Sequence, residues 1–180
     1  FETHIEQGPL LEDADVTIGV VQGVLGIRWF DCTVTGMEAH AGPTPMALRK
    51  DAMQVSARIM QEVVACAMRH PPHGRGTVGM VQVFPNSRNV IPGRVKFSID
   101  LRNATDALVD QMADEVKAFA AKVGQEHGVD VKIEMVSSYN AIQFHENCVD
   151  AVGRAAKKLG YSNMPAVPGA GHDAVYMAKL

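Results

Sequence analysis

Hydrophobic and polar positions along the chain set out a regular succession of elements. Residues 27 to 36, IRWFDCTVTG, place Ile27, Trp29, Cys32 and Val34 at imperfect two-residue spacing, and their aromatic and β-branched content predicts a strand. From Met46 to Arg69 no Gly or Pro occurs, and Ala52, Val55, Ile59, Val63 and Cys66 recur at helical spacing, which predicts one long amphipathic helix. Thr44 stands where a cap is expected and Pro45 suits the first turn. The run HPPHGRG at 70 to 76 ends that helix. Residues 77 to 84 and 94 to 101 read as strands joined by the turn-rich PNSRNVIPG, and the second alternates Val95, Phe97, Ile99 and Leu101 cleanly. Thr105 opens a second helix, with Leu108, Met112, Val116 and Phe119 on one face and an end at Gly124 to Gly128, before a fourth strand at 129 to 136. The order strand, helix, strand, strand, helix, strand predicts a ferredoxin-like, α+β domain with a four-stranded antiparallel sheet and two helices over residues 21 to 138. Residues 1 to 20 and 139 to 180, the latter with a helix near 146 to 159, are expected to be pieces of a separate α/β domain, brought together because an inserted domain leaves and returns at neighbouring points.

Charge and cysteine usage narrow the classes of function. The formal charge of −3 arises from interspersed acids and bases with no basic run, so nucleic acid is not an expected partner. Cys32, Cys66 and Cys148 are odd in number and lack a CxxC pair, which argues against a disulfide framework or thiolate zinc site and fits a reducing cytoplasm. Charges interrupt every apolar stretch before it could span a bilayer, so no membrane association is expected. The chain opens at Phe1 and closes at Leu180 without a polar tail, and is read as an excised piece of a longer protein.

Several side chains could carry chemistry. His4, in THIEQGP, is either a strand-end histidine or a ligand, and shares one side of an extended segment with Glu6. His172, in GAGHDA, follows three small residues that let the backbone approach another group, with Asp173 as a candidate orienter. Two imidazoles fall short of the three protein ligands usual at catalytic zinc. His40 lies between small residues in GMEAHAGPTPM, accessible as a functional group or packed at a helix start. Asn89 and Arg102 flank the strand at 94 to 101, and Arg102 is equally a planar fork for a carboxylate or half of a surface ion pair. The three cysteines have no activating histidine at a suggestive spacing.

Five motifs taken in order, HIEQGP, GMEAHAGPTPM with RKDA after it, PNSRNVIPG, IDLRN and GAGHDA, resemble the co-catalytic metal amidohydrolases that include N-carbamoyl-L-amino-acid hydrolase, β-ureidopropionase and allantoate amidohydrolase. The resemblance covers nearly the whole chain. It implies a ferredoxin-like lid flanked by fragments of a metallopeptidase-like catalytic domain, and a hydrolase acting on the linear carbamoyl C–N bond of N-carbamoyl-L-amino acids or related ureido acids. It implies that His4 and His172 ligate metal, that Gln7 and Gly171 face the substrate, that His40 and Asn89 hold the group under attack, and that Arg102 binds the substrate carboxylate. Two divalent ions are implied, zinc first, with manganese, cobalt or nickel as alternatives. The family's remaining metal ligands and its general base lie upstream of HIEQGP, so residues 1 to 180 alone are expected to be inactive. A homodimer formed through the lid is expected, because an outer strand would otherwise stay unpaired. An allantoate amidohydrolase, a dipeptidase-like metallopeptidase and a non-catalytic dimerisation module are the competing readings.

Overall fold

The structure is a computed structural model describing residues 1–180. In chain order its elements are α1 (Leu10–Asp13), β1 (Ile18–Val21), β2 (Gly23–Val24), β3 (Gly26–Thr35), β4 (Ala39–His40), α2 (Ala52–Arg69), β5 (Arg75–Thr77), β6 (Val81–Phe84), β7 (Val90–Ile91), β8 (Arg94–Asn103), α3 (Asp106–His127), β9 (Asp130–Tyr139), β10 (Ile142–Gln143), α4 (Glu146–Lys158), β11 (Asn163–Ala166) and α5 (Ala174–Met177). Contacts divide them into two units, Phe1–Gly26 with Asn140–Leu180, and Ile27–Tyr139.

The central unit is a ferredoxin-like α+β fold. Its sheet runs β5, β8, β3, β9, with β6 joining β8 on the same side as β5. Four strand positions are therefore filled by five segments. The expected strand at 77 to 84 is broken, because Met80 turns its backbone N–H to Ser98 Oγ (3.1 Å) while its carbonyl accepts from Ser98 N. The neighbours β3 and β8 run in opposite directions, since Gly36 N–H donates to Gly93 O and Asp31 pairs with Lys96. Helices α2 and α3 cover one face of the sheet. Phe30, Cys32 and Val34 from β3, and Val95, Phe97, Ile99 and Leu101 from β8, meet Val55, Ile59 and Val63 of α2 and Val109, Met112 and Val116 of α3. Burying each such side chain contributes roughly 1.5–3 kcal/mol, which makes this two-layer core the main source of stability.

The imperfect alternation of 27 to 36 has a definite cause. Strand β3 alternates faithfully, but Arg28 takes an inward position at the sheet end and Trp29 faces outward, 40% exposed. Arg28 is 5% exposed and spends its guanidinium on Asp110 Oδ1 (2.8 Å), Asp106 Oδ1 (3.3 Å) and the carbonyls of Ile27 and Tyr139. A bulge at Trp29/Phe30 shifts the register against β9 at that point.

The start of α2 differs from expectation. Asp51, not Thr44, caps it, its carboxylate accepting from Met53 N (2.9 Å) and Gln54 N (3.3 Å), and residues 46 to 48 form a separate 3-10 turn. Met37 N–H donates to Lys50 O, and Arg49 donates to the carbonyls of Ala41 and Thr44, so residues 49 to 51 are drawn out as extended chain before the helix begins. At Gly36 an added Cβ would collide with Lys50 O, so this close approach requires glycine. Helix α3 follows expectation, with Thr105 Oγ1 capping through Leu108 N and Gly128 closing it at φ 62°.

In the other unit, β1 and β11 pair in parallel and β2 pairs with β10 antiparallel, so residues before and after the central unit share two small sheets. Helix α4 lies against β1, and its acidic start at Glu146 and basic end at Lys157 and Lys158 match its dipole. No helix is long and apolar enough to cross a membrane.

Candidate metal and substrate site

Within the first unit, His4 and His172 come together although 168 positions separate them. Their ring centroids lie 5.4 Å apart, and Phe144 packs edge-on against His172. The His172 side chain is 7% exposed, and its Nε2 is buried without any hydrogen-bond partner. A buried nitrogen with a free lone pair is costly unless something uses it, and a ligand nitrogen for a cation is a natural use. Glu2 bridges the pair, Oε1 lying 3.0 Å from His4 Nδ1 and Oε2 3.4 Å from His172 Nδ1, and Oε2 also accepts from Ala174 N–H at 2.6 Å. Desolvation pushes the Glu2 carboxyl up, but the backbone N–H groups of Ala174 and Asp173 and the His172 ring outweigh it, and the carboxyl lies below its ordinary range. These residues fit a divalent cation: two imidazoles side by side, the Nε2 of one orphaned, and a carboxylate on their far nitrogens.

The other predicted residues of this unit are less tightly placed. Glu6 does not line up with His4; its oxygens accept from Leu10 N (2.8 Å) and Leu11 N (3.0 Å) and so hold the start of α1. Gln7 has φ 54°, one of three non-glycine residues with positive φ, a conformation that costs about 1 kcal/mol or more. An added Cβ at Gly171 would meet nothing within 4 Å, so no close approach within this chain demands glycine there.

In the second unit, His40 and Asn89 are brought together by a two-strand pairing that the sequence did not disclose. Strands β4 and β7 put His40 opposite Val90, and Ala41 N–H donates to Asn89 O. His40 Nδ1 accepts from Gly42 N–H at 3.0 Å, so in the neutral ring the proton sits on Nε2 and points away from its own loop. Ser87 Oγ lies 3.1 Å from Asn89 Oδ1 and donates to it, which leaves the amide hydrogens as outward donors. One N–H donor thus stands on β4 and another just before its partner strand β7. Arg102 is elsewhere. It lies near the far end of β8, where Asp100 engages its Nε (2.9 Å) and Nη2 (2.6 Å) and raises its pKa. From Arg94 to Arg102 the strand advances about 26 Å; the separate β4–β7 pair that carries His40 leads into the Arg94 end of β8, whereas Arg102 lies near the other end.

A second cluster went unforeseen. Cys66 and His70, one turn apart at the end of α2, face Glu115 of α3, their donor atoms within 4.8 Å of one another. Each is already engaged: Glu115 accepts from Arg69 (3.0 Å) and Gln111 and pairs with His70 (2.9 Å), and the Cys66 thiol donates to Met112 O. Arg69, then His70, hold the Glu115 carboxyl down to about 2, while burial first and Glu115 next push the Cys66 thiol up to about 12. The cluster locks α2 to α3 and leaves Cys66 an inert thiol. Cys66 and His70 stand four residues apart at the end of one helix, a spacing that hints at the pair, whereas Glu115 comes from a second helix and no sequence spacing joins it to them.

Residues 22–128 match the M20 peptidase dimerisation domain. Over 180 residues the chain is 45% identical to N-carbamoyl-L-amino-acid amidohydrolase of Rhizobium meliloti, covering 100% of this chain and 43% of that protein. Allantoate amidohydrolase of Bacillus subtilis is 35% identical over 178 residues, covering 99% and 43%. A crystal structure of an amidase of the hydantoinase/carbamoylase family from Burkholderia multivorans superposes with a TM-score of 0.96 at 46% identity, over 98% of this chain and 43% of that one. The chain thus spans less than half the length of the relatives it matches. With a ferredoxin-like domain over the matched segment and the five motifs in order, the chain belongs to the M20 peptidase-dimerisation family, in the group that holds N-carbamoyl-L-amino-acid and allantoate amidohydrolases.

Proposed function

We propose that this chain is the lid-bearing part of a metal-dependent amidohydrolase that cleaves the linear carbamoyl C–N bond of N-carbamoyl-L-amino acids. The observation that carries the reading is the His4–His172 pair with its buried, unpartnered Nε2. The names of the relatives support the reaction class. Imidazole ligands suit zinc first, then manganese, cobalt or nickel, and two ions are proposed for the whole enzyme. When bound, such ions supply an activated water near neutral pH and polarise the scissile carbonyl. Two histidines are too few to hold them, so residues 1–180 alone are inactive in this account.

The chain's other residues bind and orient. His40 Nε2–H and the Asn89 amide donate to the carbonyl oxygen as charge develops on it, pre-aimed by Gly42 N–H and Ser87 Oγ. Arg102, its fork held in plane by Asp100, takes the substrate carboxylate. Gln7 and the backbone at Gly171 line the reacting group on the metal side. Hydrolysis adds water across the bond: oxygen ends on the carbamoyl carbon, a proton on the departing nitrogen, and the carbamic acid released falls apart to carbon dioxide and ammonia.

Most of the length of β8, about 26 Å from Arg94 to Arg102, runs between the β4–β7 pair that carries His40 and Arg102, so a substrate only a few ångströms long is read as bridging two copies that share each site. The outer edge of β6 carries exposed Val81 and Phe84, and α2 exposes Val64 and Met68. A two-fold homodimer joined along that edge pairs the strands antiparallel, which sets the His40 end of one sheet beside the Arg102 end of the other. Three unpaired cysteines, Cys32, Cys66 and Cys148, accord with a cytoplasmic setting.

The test is metal content and hydrolysis by the full-length protein and its His172→Ala variant, offered N-carbamoyl-L-amino acids, allantoate and dipeptides. Two ions and carbamoyl hydrolysis in the wild type, both lost in the variant, are expected. Preference for allantoate would move the substrate within the same reaction class, and a metal-free, inactive protein would leave only a dimerisation module.

A further inference from the structure

We infer that Glu2 is a positioning residue for both candidate metal ligands at once, coupling the two imidazoles through a single carboxylate. The inference rests on the metal reading of His4 and His172. Glu2 Oε1 lies 3.0 Å from His4 Nδ1 and Oε2 3.4 Å from His172 Nδ1. A carboxylate only accepts hydrogen bonds, so it selects the Nδ1–H tautomer on each ring. In that tautomer Nε2 keeps its lone pair, and in His172 this is the buried atom with no partner. An imidazole that carried its proton on Nε2 could not serve as a ligand through that atom.

The carboxylate is itself fixed. Ala174 N–H donates to Oε2 at 2.6 Å, at the start of α5, so the loop that carries His172 holds the group that orients His172. Asp173, the orienter suggested by sequence, contributes its backbone rather than its side chain. One carboxylate serving two ligands has a consequence that separate orienters would not. Its loss weakens metal binding at His4 and at His172 together.

The test uses the metal-stripped full-length protein, titrated with zinc against a chromophoric chelator, with thermal unfolding of the metal-free form measured in parallel. Glu2→Ala is expected to weaken zinc binding by about 10- to 100-fold at both sites while the metal-free melting temperature stays near wild type. Glu2→Gln is expected to lose less, because its amide oxygen still serves one ring while its NH2 faces the other. Wild-type zinc affinity in both Glu2 variants, beside weakened binding in His172→Ala, overturns the positioning role alone. A lowered metal-free melting temperature with unchanged affinity would make Glu2 a structural staple and overturn it likewise. Unchanged binding in His172→Ala overturns the metal reading beneath it.

Discussion

At the scale of single residues, the polar groups divide into those that finish a fold and those that stay available. Arg28 belongs to the first kind: it is buried, and each of its guanidinium nitrogens has an acidic or carbonyl partner. Arg28→Ala leaves two strand carbonyls and the first turn of α3 without their cation, and is expected to destabilise the lid by about 2–4 kcal/mol in denaturant melts. Glu115 gives a pH signature. Its folded carboxyl lies at about 2 against an ordinary 4.5, so it stabilises the native state above pH 4.5 and the contribution fades as pH falls toward 2. Partial exposure screens the effect to about 1 kcal/mol, and Glu115→Gln should flatten that stretch of the stability-versus-pH curve, with the two proteins converging near pH 2. His40 belongs to the second kind. Its tautomer is set by Gly42 N–H, a detail invisible in a sequence that shows only a histidine among small residues.

At the scale of elements, periodicity carried what depends on burial and missed what depends on a local hydrogen bond. The clean alternation of Val95 to Leu101 became β8, and the spacing of Val55, Ile59 and Val63 became the buried stripe of α2, because one face of each packs on the same core. The cap was misread. Thr44 has the right chemistry, but its hydroxyl donates to His40 O at 2.7 Å, and Asp51 takes the helix start seven residues later. Asp51→Ala is expected to cost about 1 kcal/mol and Thr44→Ala to leave helix stability nearly unchanged, as read from thermal melts of both variants. The pairing of β4 with β7 was hidden for a related reason. Two-residue strands have no periodicity, yet this one draws His40 to Asn89.

At the scale of the whole molecule, the motifs named candidate residues but not which of them stand together. His4 and His172 meet within one unit, whereas Arg102 lies near the far end of β8 from the β4–β7 pair that carries His40. That separation, set by the length of β8, makes the substrate site a shared property of two copies in this account. Complementation tests it most directly. Full-length His40→Ala and Arg102→Ala proteins, each expected to lose at least 100-fold in kcat/KM, are unfolded, mixed and refolded, and N-carbamoyl-L-amino-acid hydrolysis is measured. In a mixed dimer one shared site carries both substitutions and the other carries neither, so activity should return with one working site per heterodimer. If every site is built within a single copy, each keeps one substitution and the mixture stays as inactive as its parents, which would contradict the account.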